Sequence, residues 1–117
     1  MSDSLADLRQ RIDQFVTERD WAQFHTPKNL AMAMIVEAAE LVEHFQWSTP
    51  EESTQLTSEK REAVSHELAD TFVYLLRLAE VLKVDLIEAA NQKIDLNAKK
   101  YPVDKARGSN AKYTEYQ

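Results

Sequence analysis

A single glycine in 117 residues, with only three prolines, constrains this chain more than any other feature. Tight hairpin turns need positive φ and draw mainly on glycine, so a sheet with several hairpins has little turn chemistry available here. Hydrophobic residues make up 44% of the chain and charged residues 29%, which is ample material for amphipathic helices. An all-α fold follows. The length suits one domain, residues 1–117, around one hydrophobic core.

Helix signals divide the chain into four main segments. Ser4 and Asp7 have capping-box spacing, with Asp in place of the usual Glu, ahead of Leu5, Leu8, Ile12, Phe15 and Val16 on one face; this helix is expected to end near Arg19. Residues 20–26, DWAQFHT, read as a loop dense in aromatic and imidazole groups. Thr26-Pro27 is an N-cap and first-turn pair opening a second helix that is predicted to reach about Trp47. Thr49-Pro50-Glu51-Glu52 repeats that grammar for a short turn, and a polar linker runs from Ser53 to Ser58.

Ser58 is placed to cap a third helix to about Leu82, with Val64, Leu68, Phe72, Leu75, Leu78 and Leu82 at helical spacing. Asp85 with Glu88 opens a fourth helix to about Lys99, Tyr101-Pro102 stops it, and Val103 to Gln117 reads as a polar tail. Four helices with short connections imply an antiparallel bundle.

Charge and composition exclude several roles. Twenty acids against fourteen bases give a net charge of −6, and no basic tract offers a surface for nucleic acid or anionic membrane. Without cysteine there is no disulfide framework and no thiolate chemistry, which fits a reducing cytoplasm. The start, Met1 to Gln10, is polar and has no signal-peptide core, and the longest apolar run, Leu30 to Val36, is too short to cross a bilayer.

The second helix carries two acids in an apolar setting, LAMAMIVEAAELVEHFQW, with Glu37 and Glu40 three apart. On a helical wheel Leu30, Met34, Ile35, Ala38, Leu41, Val42 and Phe45 form one stripe, while Met32, Ala33, Val36 and Ala39 lie opposite. One flank is expected to pack in the bundle and the other against a partner subunit, with the acids in the seam. The third helix repeats the device: Glu67 and Asp70 are three apart, and Tyr74 shares their edge.

No Lys or Arg stands three or four residues from any of these four acids. Like charges about 4 Å apart repel by roughly 4 kcal/mol at an effective dielectric near 20, so gathered carboxylates must protonate, separate or bind a cation. Oxygen-only ligands suit Mg²⁺ or Mn²⁺, and Mg²⁺ typically recruits substrate phosphates. The competing view of each pair is an ordinary solvated helix face.

With these residues the chain resembles the MazG-like all-α nucleoside triphosphate pyrophosphohydrolases, and in particular their dCTP pyrophosphatase branch. The skeleton is Glu37-Ala-Ala-Glu40, 26 residues, then Glu67-Leu-Ala-Asp70; ERDWAQFHTPKNLA, FQW, YLLRLA, KIDLNAKKYP and KYTE match that branch in order and spacing. The resemblance runs from Leu5 to Glu115. It implies a bundle-like protomer assembling as a homodimer or a dimer of dimers, and hydrolysis between the α and β phosphates. It also implies Mg²⁺ held by Glu37, Glu40, Glu67 and Asp70, with Glu37 or Glu40 the choice for orienting or deprotonating water.

By the same resemblance Trp21, Phe24, His25 and Trp47 sandwich the base, Tyr74 packs on the sugar, and Lys93 and Asn97 lie near the phosphates and metal. Lys112 and Tyr113 then reach the nucleotide from the tail. Animal members carry a histidine where this chain has Ile12. Two other classes compete. A di-iron carboxylate bundle needs Glu-x-x-His pairs, whereas Glu40 and His44 are four apart and His66 directly precedes Glu67. A non-catalytic oligomeric scaffold or nucleotide-binding protein would leave substrate intact.

Overall fold

The computed structural model describes residues 4–116; the polar residues 1–3 and the final tail residue Gln117 lie outside the described residues. Among the described residues all regular structure is helical. The chain divides into two compact units, Met1–Lys83 and Val84–Gln117.

In the first unit α1 spans Leu5–Glu18, α2 Pro27–Glu43, α3 Pro50–Ser53 and α4 Ser58–Leu82. Each starts on a side chain that accepts an otherwise orphaned N–H: Ser4 from Asp7, Thr26 from Asn29, Thr49 from Glu52 and Thr57 from Lys60. Thr49 and Glu52 form a complete capping box. The cap of α4 is therefore Thr57, one residue before the predicted Ser58. α2 stops at Glu43 rather than near Trp47, because the N–H groups of Phe45 and Gln46 both turn back to the Val42 carbonyl and the chain leaves the helix through turns. Lys83 closes α4 in the left-handed region at φ 57°, a position usually given to glycine and filled here by a lysine.

α4 packs against both α2 and α1. Leu30 and Leu76 are the fully buried large side chains, joined in the core by Ile12, Val16, Val64 and Ala79. On α2 the covered line is Leu30, Met34, Glu37 and Leu41, an i, i+4, i+7, i+11 series with Glu37 in its middle. Ile35 and Val42, expected in the core, are instead 63% and 58% exposed, alongside exposed Met32 and Val36. On α4, Leu68, Phe72, Leu75 and Leu82 of the expected core stripe are likewise exposed. The apolar arc of each helix is wider than its neighbours within the unit cover, so periodicity located the apolar positions but not their partners.

In the second unit α5 spans Leu86–Lys100, capped by Asp85 on the Glu88 N–H, and α6 spans Val103–Ala106. A final single turn covers Tyr113–Tyr116. The segment read as a polar tail is thus structured: Tyr101 meets Tyr113 and Tyr116 edge to face at 6.4 and 5.8 Å, and the Lys105 ammonium donates to the Tyr116 carbonyl. The signal was in the tyrosines, which the charged residues around them obscured.

Candidate active site

The packing of α2 on α4 brings carboxylates together. Glu37 from α2 and Glu67 and Asp70 from α4 each offer an oxygen within 4.8 Å of the others. Glu67 and Asp70 share a face of α4 because they are three residues apart; Glu37 joins them because it lies in the covered line of α2. Glu37 and Glu67 are half-buried and Asp70 is exposed. Glu40 is also half-buried, lies outside the three that converge, and adds to the upward pull on the Glu37 pKa.

The electrostatics of this group are unfavourable as it stands. Withdrawal from water, then proton sharing with and the charge of Glu40, then Glu67 and Asp70, raise the Glu37 pKa from 4.5 to about 7. Glu37 Oε2 and Glu67 Oε2 are sealed from water with no hydrogen-bond partner. Two ionised carboxylates have no proton to share, so only a proton or a cation satisfies them. A hard divalent ion fits: the donors are all carboxylate oxygen, gathered within coordinating range and lacking any protein donor.

Next to the acids, α1 and α4 bound a cleft of about 400 Å³ whose lining includes Asp70. Tyr74, one turn beyond Asp70, and Trp21 and His25, from the connection between α1 and α2, also face it. That connection is held by its own bonds. Asp20 takes φ 53°, the Trp21 N–H donates to the Val16 carbonyl at 3.0 Å, and the Asn29 amide reaches back to the Phe24 carbonyl at 2.9 Å. Trp21 packs edge to face on Phe15 at 5.7 Å. Leu8, Ile12, Phe15, Val16 and Val73 make most of the remaining wall apolar, and Arg11 of α1 also lines it.

Phe24 and Trp47 were expected with Trp21 and His25, but neither lines the cleft; they are 59% and 89% exposed. The short turn Ala22–Phe24 sends Phe24 away from its neighbours Trp21 and His25, and Trp47 lies beyond the early end of α2. In the second unit Lys93 and Asn97 are one turn apart on α5, with Asn97 half-buried. Lys112 is exposed, and Tyr113 packs on Tyr101 with the Lys100 ammonium 5.1 Å from its ring centre.

Sequence reasoning missed Arg77. It lines the cleft, donates from Nε to His25 Nδ1 at 3.1 Å and pairs through Nη1 with Asp13 Oδ1 at 3.4 Å. The available signal was its spacing: seven residues from Asp70, two turns along the same face of α4.

An all-α protomer with clustered acids on a packed helix pair, beside an aromatic cleft, is an arrangement fit for a hydrolase that uses a divalent ion. The chain belongs to the MazG-like family, which it matches over residues 32–116. It is 44% identical to dCTP pyrophosphatase 1 of Bos taurus over 114 residues, covering 96% of this chain and 68% of that protein. For the Mus musculus protein of the same name the values are 45%, 96% and 67%. A crystal structure of a pyrophosphatase from Archaeoglobus fulgidus superposes with a TM-score of 0.81 at 36% identity, covering 87% of this chain and 95% of the other.

Proposed function

We infer that this chain is a nucleoside triphosphate pyrophosphohydrolase that cleaves dCTP or a closely related pyrimidine deoxynucleotide to the monophosphate and pyrophosphate. The observation that carries this is the convergence of Glu37, Glu67 and Asp70, with two oxygens unsatisfied, at the edge of a cleft large enough for a base and sugar. The dCTP pyrophosphatases it resembles supply the substrate class.

Glu37, Glu67 and Asp70 would hold Mg²⁺, or Mn²⁺ in its place, with Glu40 supporting Glu37. When bound, the ion supplies neutralisation of triphosphate charge and a more acidic attacking water. Whichever of Glu37 and Glu40 keeps an oxygen not engaged by the ion is the choice to orient or deprotonate the attacking water. Trp21 and His25 flank the base, and Tyr74 lies between the base and Asp70, where the sugar belongs. For the phosphates we assign Lys93 and Asn97, a cation and an amide donor at i, i+4, with Lys112 and Tyr113 of the last segment. The whole chain acts as one hydrolytic domain.

Among the described residues no helix is long and apolar enough to cross a membrane. A cytoplasmic protein that cleans the nucleotide pool, with no nucleic-acid or membrane partner, is the setting we propose. The exposed Met32, Ile35, Val36 and Val42 of α2 and Leu68, Phe72 and Leu75 of α4 favour a homodimer or homotetramer.

The test is incubation of the full chain with each dNTP and Mg²⁺ or EDTA, followed by product resolution. Metal-dependent dCMP and pyrophosphate are expected. A diphosphate with orthophosphate would overturn the bond assignment, and intact substrate would favour a non-catalytic nucleotide-binding scaffold.

A further inference from the structure

Arg77 and His25 have no part in holding metal or phosphate as assigned above, yet both line the cleft, two turns of α4 from Asp70 in the case of Arg77. A guanidinium keeps its protons at any physiological pH, so its N–H groups only donate. His25 Nδ1, at 3.1 Å from Arg77 Nε, must therefore be the acceptor, which leaves the imidazole proton on Nε2. Burial, with the adjacent Arg77 charge, holds His25 below its ordinary range and keeps the ring neutral.

Asp13 offsets the Arg77 charge from the α1 side. The Arg77 side chain is only 11% exposed, and among the described residues its remaining N–H groups have no other partner. The cleft thus sets unused Arg77 guanidinium donors and one imidazole donor among the apolar side chains of Leu8, Ile12, Phe15 and Val73, with Arg11 of α1 as the other cation on its lining. At the Arg77 end the charge is already offset by Asp13 and the neighbouring walls are apolar, which fits an uncharged planar ring better than a polyanion. The spacing agrees: Arg77 lies about 10 Å along α4 from Asp70 at 1.5 Å per residue, with Tyr74 between. A nucleotide with its phosphates at Asp70 and its sugar at Tyr74 brings the far edge of a pyrimidine to Arg77 and His25.

We propose that Arg77 is a specificity-determining residue that, with the His25 tautomer it fixes, selects a pyrimidine presenting adjacent acceptors, as cytosine does through O2 and N3. Uracil and thymine carry a hydrogen on N3, which meets a donor here and leaves both unpaired in the cleft. The inference rests on the nucleotide reading and names how that site chooses its base.

The test compares kcat/KM for dCTP and dUTP, with Mg²⁺, in the wild type and in Arg77→Leu and Arg77→Lys, with ¹⁵N spectra of His25. The wild type is expected to favour dCTP by at least about tenfold, a preference lost in Arg77→Leu mainly through a higher KM for dCTP. Arg77→Lys keeps the charge but not the fork and is expected not to restore the preference; it also carries the test if the leucine variant does not fold. The Nε2–H tautomer is expected in the wild type and a tautomer mixture in Arg77→Leu, which tests whether the arginine sets the imidazole, while the dCTP to dUTP ratio tests whether the pair reads the base. If the wild type hydrolyses dCTP and dUTP equally, or the ratio survives in both variants, the inference fails while the hydrolase reading stands. If no nucleotide is hydrolysed, the hydrolase reading fails first.

Discussion

Glu37 on α2 and Glu67 on α4 face one another across the helix pair, each with an Oε2 atom shut off from water and bound to nothing. A fold keeps such oxygens only where some other contribution offsets their cost, and here Asp70 adds a third carboxylate within 4.8 Å.

Removing one of these charges is expected to separate function from stability. Glu37→Gln or Asp70→Asn should reduce turnover by at least about a hundredfold, since even groups that only orient a metal's ligands cost about 10–100-fold. Helicity by circular dichroism should be unchanged, and the metal-free Tm should rise because a repulsive charge has gone. A variant that unfolds would assign the acids a structural role instead.

The pH dependence of the metal-free protein follows from Glu37. Its folded pKa is about 7 against 4.5 ordinarily, so between those values the unfolded state gives up the proton first. Stability is therefore expected to fall as pH rises across that window, through this group, and Glu37→Gln should flatten the slope. Metal affinity should move oppositely, rising with pH up to and just beyond 7, because binding must expel the proton. Chemical denaturation at several pH values, with and without Mg²⁺, checks both signs.

Assembly is predicted from the uncovered flank of α2. The wild type should sediment at a multiple of 13.5 kDa. Ile35→Glu places a charge where an apolar contact is expected and should shift the protein toward the single-chain mass. A wild type that runs as one chain at micromolar concentration would remove the basis for this interface.

Local stability should follow the caps and the core. Thr26→Ala deletes the acceptor for the Asn29 N–H and is expected to cost about 1 kcal/mol. Leu76→Ala, at one of the two fully buried large side chains, should cost about 2–5 kcal/mol. Urea titration of the metal-free protein measures both.

Helix starts were legible because each is written locally: Ser4, Thr26, Thr49 and Asp85 all accept the N–H three residues on. The acid pairs were legible because a spacing of three without basic neighbours has few explanations. Burial was less so. Ile35 and Leu68 are as apolar as Leu30 and Leu76, and composition does not say which apolar arc a neighbouring helix will cover. The end of α2 and the fold of residues 103–116 depend on backbone turns and on tyrosines meeting from separated positions. Arg77 escaped notice because its partners, His25 and Asp13, lie 52 and 64 residues away in sequence.

The most direct test of the metal-binding claim is electron paramagnetic resonance of Mn²⁺ titrated into the full chain with α,β-imido-dCTP, a substrate mimic that resists cleavage at the proposed bond. Protein-bound Mn²⁺ is expected in the wild type, with affinity sharply reduced in each of Glu37→Gln, Glu67→Gln and Asp70→Asn. Unchanged Mn²⁺ binding in all three variants would contradict a cation site built from these acids.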